Sequence, residues 1–264
     1  MGHQSRARLL AALIVLVLVG AVIFLALPRL RAPSPSSSSP TAGAMTLDEE
    51  CNGPQLNPLF HYDGQWGPGF APDSDFMGDL RQLSIANGLC TITAARMQTP
   101  SGRPYGSAVF DTKHTFSQTY GTFEARIRYP AGDGLWPAFW LNPQGSWPPE
   151  IDILEAYPNT TRVPGPDQLF STLHYPPANQ MHRIEWTAPK SLADAFHVFR
   201  LVWKPGSLTF SVDGITTGTI TSDVPNTPMY PVLDLSVGNW SARAGAGTPD
   251  VARMDIDYIR VYAQ

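Results

Sequence analysis

Cysteine is nearly absent from this chain: Cys51 and Cys90 are the two in 264 residues. That excludes a disulfide-rich miniature scaffold, and no Cys/His spacing resembles a zinc site. Charge is also sparse, at 15% of residues, with 18 Lys and Arg against 22 Asp and Glu and a net charge of −4. A nucleic-acid partner is therefore not expected, because no basic surplus would hold it. Past residue 45 no stretch sustains a helical period beyond two turns, residues 191–196 being the one brief candidate. No repeat of fixed length recurs, which argues against solenoids and propellers.

What the chain does hold begins with 19 apolar residues at 9–27. At about 1.5 Å per residue such a run spans roughly the 30 Å hydrocarbon core of a bilayer. Arg6 and Arg8 precede it, and Arg29 and Arg31 follow. A signal peptide has a shorter apolar stretch with a small-residue cleavage site close behind. Here the nearest such site, Ala42-Gly43-Ala44, lies too far downstream. Residues 1–31 are therefore expected to be an uncleaved transmembrane anchor, with secretion after signal cleavage as the alternative. The equal Arg flanks barely set orientation, and His3 with the free amine tips the N-terminus towards the cytoplasm. Residues 32–45, rich in Pro and Ser, cannot bury a core and read as a flexible linker. Residues 46–264 would then stand outside the cytoplasm. There Cys51 and Cys90 are expected to form a disulfide, contributing roughly 4 kcal/mol by chain entropy.

Beyond the linker, short strand-like runs alternate with turns, and 26 Pro and 22 Gly supply the punctuation. Phe123, Ala125, Ile127 and Tyr129 alternate with Thr122, Glu124, Arg126 and Arg128, a period of two. Residues 196–220 read as a three-stranded meander, turned by Pro205-Gly206 and Asp213-Gly214. Further strands are expected at 88–94, 108–111, 170–175, 232–237 and 254–262. The pattern predicts one all-β domain, a sandwich. Asp48-Glu49-Glu50 reads as a solvated charge run.

Glu150-Ile151-Asp152-Ile153-Leu154-Glu155 carries the most chemistry. It sets three acids in an apolar run shortly after Trp136, Trp140 and Trp147, and buried acids are costly unless paired or used. Strict alternation points Glu150 and Asp152 to one face and Glu155 to the other. One extra residue near Ile153-Leu154, a β-bulge, brings all three to the same face. The outer Cα atoms then stand about 13 Å apart along the strand. Two Glu side chains leaning inward can approach the roughly 5–5.5 Å separation of a retaining glycosidase. The competing arrangement is a helix starting at Ser146, with Pro in its first turn and the acids scattered around the axis. Strand-rich surroundings disfavour it. Crowded carboxylates push their pKa values apart, so one can attack while another holds a proton. The pattern alone does not say which Glu is which.

Tyr120-Gly121-Thr122-Phe123-Glu124-Ala125-Arg126, Leu135-Trp136-Pro137-Ala138-Phe139-Trp140-Leu141 and the acid strand resemble glycoside hydrolase family 16, in that family's order. Phe196-His197 leading to Trp203, Val212-Asp213-Gly214 and Asp257-Tyr258-Ile259-Arg260-Val261-Tyr262 are similar to its later strands. The likeness runs from about residue 105 to the C-terminus. The Glu-x-Asp-x-x-Glu spacing is similar to the bulged, laminarinase-like branch. The resemblance implies a jelly-roll β-sandwich of two curved antiparallel sheets with a concave substrate cleft. It implies Glu150 as nucleophile, Glu155 as general acid/base and Asp152 as the assisting acid between them. Pro148-Pro149 and the short connection from Trp140 to Trp147 depart from the family pattern and can reshape the cleft.

Among the neighbours, Trp136 and Trp140 share a parity and can stack on pyranose rings; core packing is the plain alternative. Trp240 is a further candidate for sugar contact. His174 occupies the place of a family histidine, which implies contact with substrate or tuning of Glu155. Arg126, on the polar face of its strand, offers a bond to a sugar hydroxyl or a surface salt bridge. No cofactor is required, although a structural calcium found in some family members nominates Asp257. Asn159-Thr160-Thr161 and Asn239-Trp240-Ser241 have the form of glycosylation sites, for which chance suffices.

The resemblance thus implies an endo-hydrolase of β-glucan at β-1,3 or mixed β-1,3/1,4 linkages, expected as a monomer and tethered to the membrane by the apolar run at 9–27. A transglycosylase on cell-wall glycans and a non-catalytic carbohydrate-binding module are the alternatives. Such modules typically lack one of the acids, and all three are present here.

Overall fold

Strands and connecting turns, with no helix, make up the described residues, which in this computed structural model are 43–62, 66, 68–78 and 81–264. The expected membrane anchor and residues 32–42 of the linker lie outside the described residues. The larger sheet orders β14 (Ile215–Ile220), β13 (Ser207–Val212), β12 (His197–Lys204), β7 (Gly121–Arg128), β16 (Val251–Tyr262), β4 (Leu89–Arg96), β5 (Tyr105–Ser107) and β2 (Ser74–Phe76). On it, β1 (Met45–Glu49) pairs with β16 and β3 (Leu83–Ala86) with β4. The smaller sheet orders β11 (Gln180–Thr187), β10 (Gln168–Tyr175), β9 (Glu150–Glu155), β8 (Leu135–Pro143), β15 (Met229–Val237) and β6 (Val109–Asp111). The result is a two-sheet, jelly-roll-like sandwich.

Alternation explains how the sheets face each other. Phe123, Ala125 and Ile127 of β7 join Phe199, Leu201 and Trp203 of β12 in the core between the sheets. Phe139 and Leu141 of β8, Ile151 of β9 and Leu233 and Leu235 of β15 come from the opposite side. Fully burying a Leu, Ile or Phe contributes about 1.5–3 kcal/mol each, so this layer supplies most of the driving force. Trp203 is wholly buried, and its indole N–H finds the carbonyl of Pro225 at 3.2 Å. Every residue of β15 is buried, because its second face is covered too. Tyr230 and Val232 pack there with Trp140, Val109 and Phe76 in a separate cluster. That face carries the site.

Three expectations need correction. Asp48-Glu49-Glu50 is not simply a solvated run: buried Glu49 accepts from the backbone N–H groups of Cys51 (2.6 Å) and Asn57 (2.5 Å). Glu50 pairs with Arg260, whose Nε lies 2.7 Å away. Residues 191–196 form turns, not a helix. Asp194 takes a left-handed φ of 64°, which no right-handed helix continues, and donates its N–H to the Tyr129 carbonyl at 2.8 Å. Finally, β11 was missed in the sequence because an edge strand needs no deep apolar face, and its residues alternate only between exposed and half-buried. Cys51 and Cys90 are joined by a disulfide with Cα atoms 5.3 Å apart, tying the segment after β1 to β4.

Candidate active site

The register around β9 sets the site. Asp152 stands opposite Trp140 of β8 and Thr172 of β10, while Glu155 stands opposite Ala138 and Phe170. Three steps along β9 therefore match two steps on each neighbour, and Ile153 is the extra residue of a β-bulge. Ile153 and Leu154 both turn into the core. The alternation is thereby reset, and Glu150, Asp152 and Glu155 all line one cleft of about 610 Å³ on the outer face of the smaller sheet.

Glu150 Oε2 accepts from the indole N–H of Trp147 at 3.0 Å, and its Oε1 lies 3.6 Å from His174 Nε2. His174 Nε2 is closer still to Asp152 Oδ2, at 3.2 Å, and Nδ1 meets Asn179 Oδ1 at 2.6 Å. Burial opposes charge on this imidazole, but Asp152, Asn179 and Glu150 outweigh it and raise its pKa to about 9. At neutral pH it is a cation. Glu155 Oε1 accepts from the Tyr157 hydroxyl, and its Oε2 has no hydrogen-bond partner, with Arg183 Nη2 at 4.0 Å. An orphaned buried carboxylate oxygen in a cleft is the mark of a group poised for a reacting partner.

Burial first, and the charge of Asp152 second, push Glu150 up to about 8 and Glu155 up to about 7. Such values belong to the cluster as a whole. Their order is the reverse of what an anionic Glu150 and a protonated Glu155 need, and the contacts around each carboxylate temper the two values without reversing them. The indole N–H of Trp147 donates to Glu150, and the charge of His174 3.6 Å away acts on it through space; both favour its anion. Glu155 keeps one oxygen unbonded, free to carry a proton towards a ligand. The floor holds one more acid: Asp234, wholly buried and raised to about 7 by that burial, accepts from Trp140 Nε1 at 3.0 Å and from Ser236 Oγ at 2.7 Å.

Of the residues singled out in the sequence, Trp136, Trp140, His174 and Trp240 line this cleft with the three acids. Trp140 lies in the floor at 6% exposure, beneath Trp66 and Phe70 with ring centroids 5.5 and 6.0 Å away. Trp240, 63% exposed, stands at the rim against Tyr157. His174 contacts Asp152 and Glu150 directly, and its charge also lowers the Glu155 pKa from a distance. Arg126 does not belong to the site. It lies in β7 of the other sheet, on the face opposite Phe123, Ala125 and Ile127, and its Nη1 pairs with Asp257 at 2.8 Å. Asp257, the residue nominated for a structural calcium, holds this guanidinium on its carboxylate.

Asn159 and Asn239 are buried, which removes them as glycan acceptors. Asn159 donates to Ser241 Oγ at 2.9 Å, and Ser241 donates its N–H to Asn239 Oδ1 at 2.8 Å. The two sequence triplets thus form one network under Trp240. Several lining residues escaped the sequence: Trp147, Tyr157, Arg183, Asp234, Trp66 and Phe70. Tyr157 was within reach, since it follows Glu155 by two positions and strand parity puts it on the same face. Arg183 and Trp66 arrive from distant strands and loops with no local signal.

Known proteins are similar to this chain in varying degree. The pattern of the glycosyl hydrolases family 16 matches residues 72–260. An endo-1,3-1,4-beta-glycanase of Rhizobium meliloti (strain 1021) is 32% identical over 209 residues, covering 75% of this chain and 43% of that protein. The chain therefore spans less than half the length of that relative. The X-ray structure of an endo-β-1,3-glucanase from Pyrococcus furiosus is 27% identical with a TM-score of 0.73, covering 83% of this chain and 94% of the other. The laminarinase catalytic domain of Thermotoga maritima shares the fold, with a TM-score of 0.74 at 24% identity over 85% of this chain and 99% of its own. Since the family match takes in both the bulged acid strand and the two sheets that frame it, the chain belongs to the glycosyl hydrolases family 16.

Proposed function

We propose that the domain is a retaining endo-β-glucanase that cuts internal β-1,3 or mixed β-1,3/1,4 linkages of glucan. The observation that carries this is the bulge at Ile153, which gathers Glu150, Asp152 and Glu155 on one cleft wall among tryptophans. Glu150 attacks the anomeric carbon while Glu155 protonates the departing glycosidic oxygen, giving a covalent glycosyl-enzyme. Glu155, now ionised, takes a proton from water, which attacks the same carbon and releases the sugar with retained configuration. Asp152, with cationic His174 beside it, steadies the strand of acids between the two steps. The glucanase relatives named above support the choice of substrate.

Glu150→Gln tests the assignment, measured as reducing ends released from laminarin and from mixed-linkage glucan. Activity near the wild-type rate sinks the role given to Glu150. Product analysis at high acceptor concentration separates hydrolysis from transglycosylation, since only a transferase builds longer oligosaccharides.

We also propose that the domain works outside the cytoplasm, held at the membrane by residues 1–31 through the linker at 32–45. The Cys51–Cys90 bridge supports an oxidising compartment. Carbonate extraction of membranes tests the anchor: release of the protein into the soluble fraction speaks against it.

A further inference from the structure

Trp147 is 47% exposed, so packing does not explain its position. Its one polar side-chain group, the indole N–H, points at Glu150 Oε2 from 3.0 Å. The other oxygen, Oε1, lies 3.6 Å from His174 Nε2, beyond hydrogen-bond length. The two oxygens of one carboxylate are thus unequal. An indole N–H can only donate, so it favours the anion and cannot compete for a proton. Pro148 and Pro149, with φ fixed near −65°, join Trp147 to Glu150 by a stiff connection. On the other side the indole lies 6.1 Å from the His174 ring, so the two rings flank the carboxylate.

We propose that Trp147 is a positioning residue for the nucleophile, its N–H holding Oε2 so that Oε1 attacks the anomeric carbon. The Oε1–carbon bond forms as the bond from that carbon to the leaving oxygen breaks, and the Glu155 proton passes to that oxygen. A sugar lying over the exposed indole excludes water from the hydrogen bond and strengthens it. This role rests on Glu150 being the nucleophile, as proposed above.

Trp147→Phe keeps a ring and deletes the donor. We expect kcat on laminarin to fall roughly tenfold or more, as loss of a hydrogen bond to a charged group predicts, with a smaller change in KM. The acidic limb of the kcat/KM profile moves to higher pH, because the Trp147 bond lowers the Glu150 pKa. Carbon-13 NMR of labelled glutamate follows the same carboxyl without catalysis, its resonance assigned by its loss in Glu150→Gln. An upward shift of that titration in Trp147→Phe supports the clamp. An unchanged titration overturns it, whether or not kcat falls. Should neither wild type nor variant cleave any glucan, the glucanase function fails, while the NMR titration still decides the hydrogen bond.

Discussion

His174 Nε2 lies 3.2 Å from Asp152 Oδ2, placing a cation beside two of the three cleft acids. Its charge lowers the pKa of Glu150, which burial and Asp152 hold at about 8. A neutral replacement removes that pull.

In His174→Gln the Glu150 pKa therefore rises, and less of the carboxylate is ionised at any pH below it. The acidic limb of kcat/KM on laminarin is expected to move to higher pH, with activity at pH 6 falling more than at pH 8. A limb that stays in place makes the imidazole a bystander.

Tyr157→Phe acts on the opposite limb. The Tyr157 hydroxyl donates to Glu155 Oε1 and lowers a pKa that burial sets at about 7. Without it Glu155 keeps its proton to higher pH, so the alkaline limb moves upward. The rate falls by roughly tenfold as one bond to a charged group is lost. Parallel pH profiles of the two variants check which limb each substitution moves more, since His174 also acts on Glu155.

Arg126→Ala is expected to leave kcat and KM on glucan unchanged. The side chain lies on the far sheet, paired with Asp257 and over the Phe196 ring at 4.5 Å. Stability drops by about 1 kcal/mol at most, the scale of a partly exposed pair. Steady-state kinetics alongside urea unfolding separates the two effects, and a raised KM would return this residue to substrate binding.

Cys51→Ser with Cys90→Ser opens a loop of 39 residues. Chain entropy predicts a loss of about 4 kcal/mol in unfolding free energy. The site lies on the other sheet, so kcat at low temperature is expected to hold. Urea midpoints of oxidised and variant protein measure the difference.

The period-two runs made the sandwich readable before any coordinates. Phe123, Ala125 and Ile127 against Thr122, Glu124 and Arg126 state which face is buried, because a strand turns alternate side chains to opposite faces. The acid strand was equally legible: three carboxylates in an apolar run demand a shared cleft, and a single extra residue supplies it. These are local relations, carried by neighbours in the chain.

Which groups surround those acids is a different kind of fact. Arg126 alternates on a strand the sequence shows and Arg183 carries no such signal, yet the first reaches Asp257 on the far sheet and the second approaches Glu155 in the cleft. The bond from Trp147 to Glu150 depended on how the Pro148-Pro149 link folds back, and the burial of Asn159 on a network that spans 82 residues to Ser241. Sequence determined the element types and the common face of the acids through local periodicity. Only the packing of two sheets decided the partners, because a side chain's environment in a sandwich is set by strands far apart in the chain.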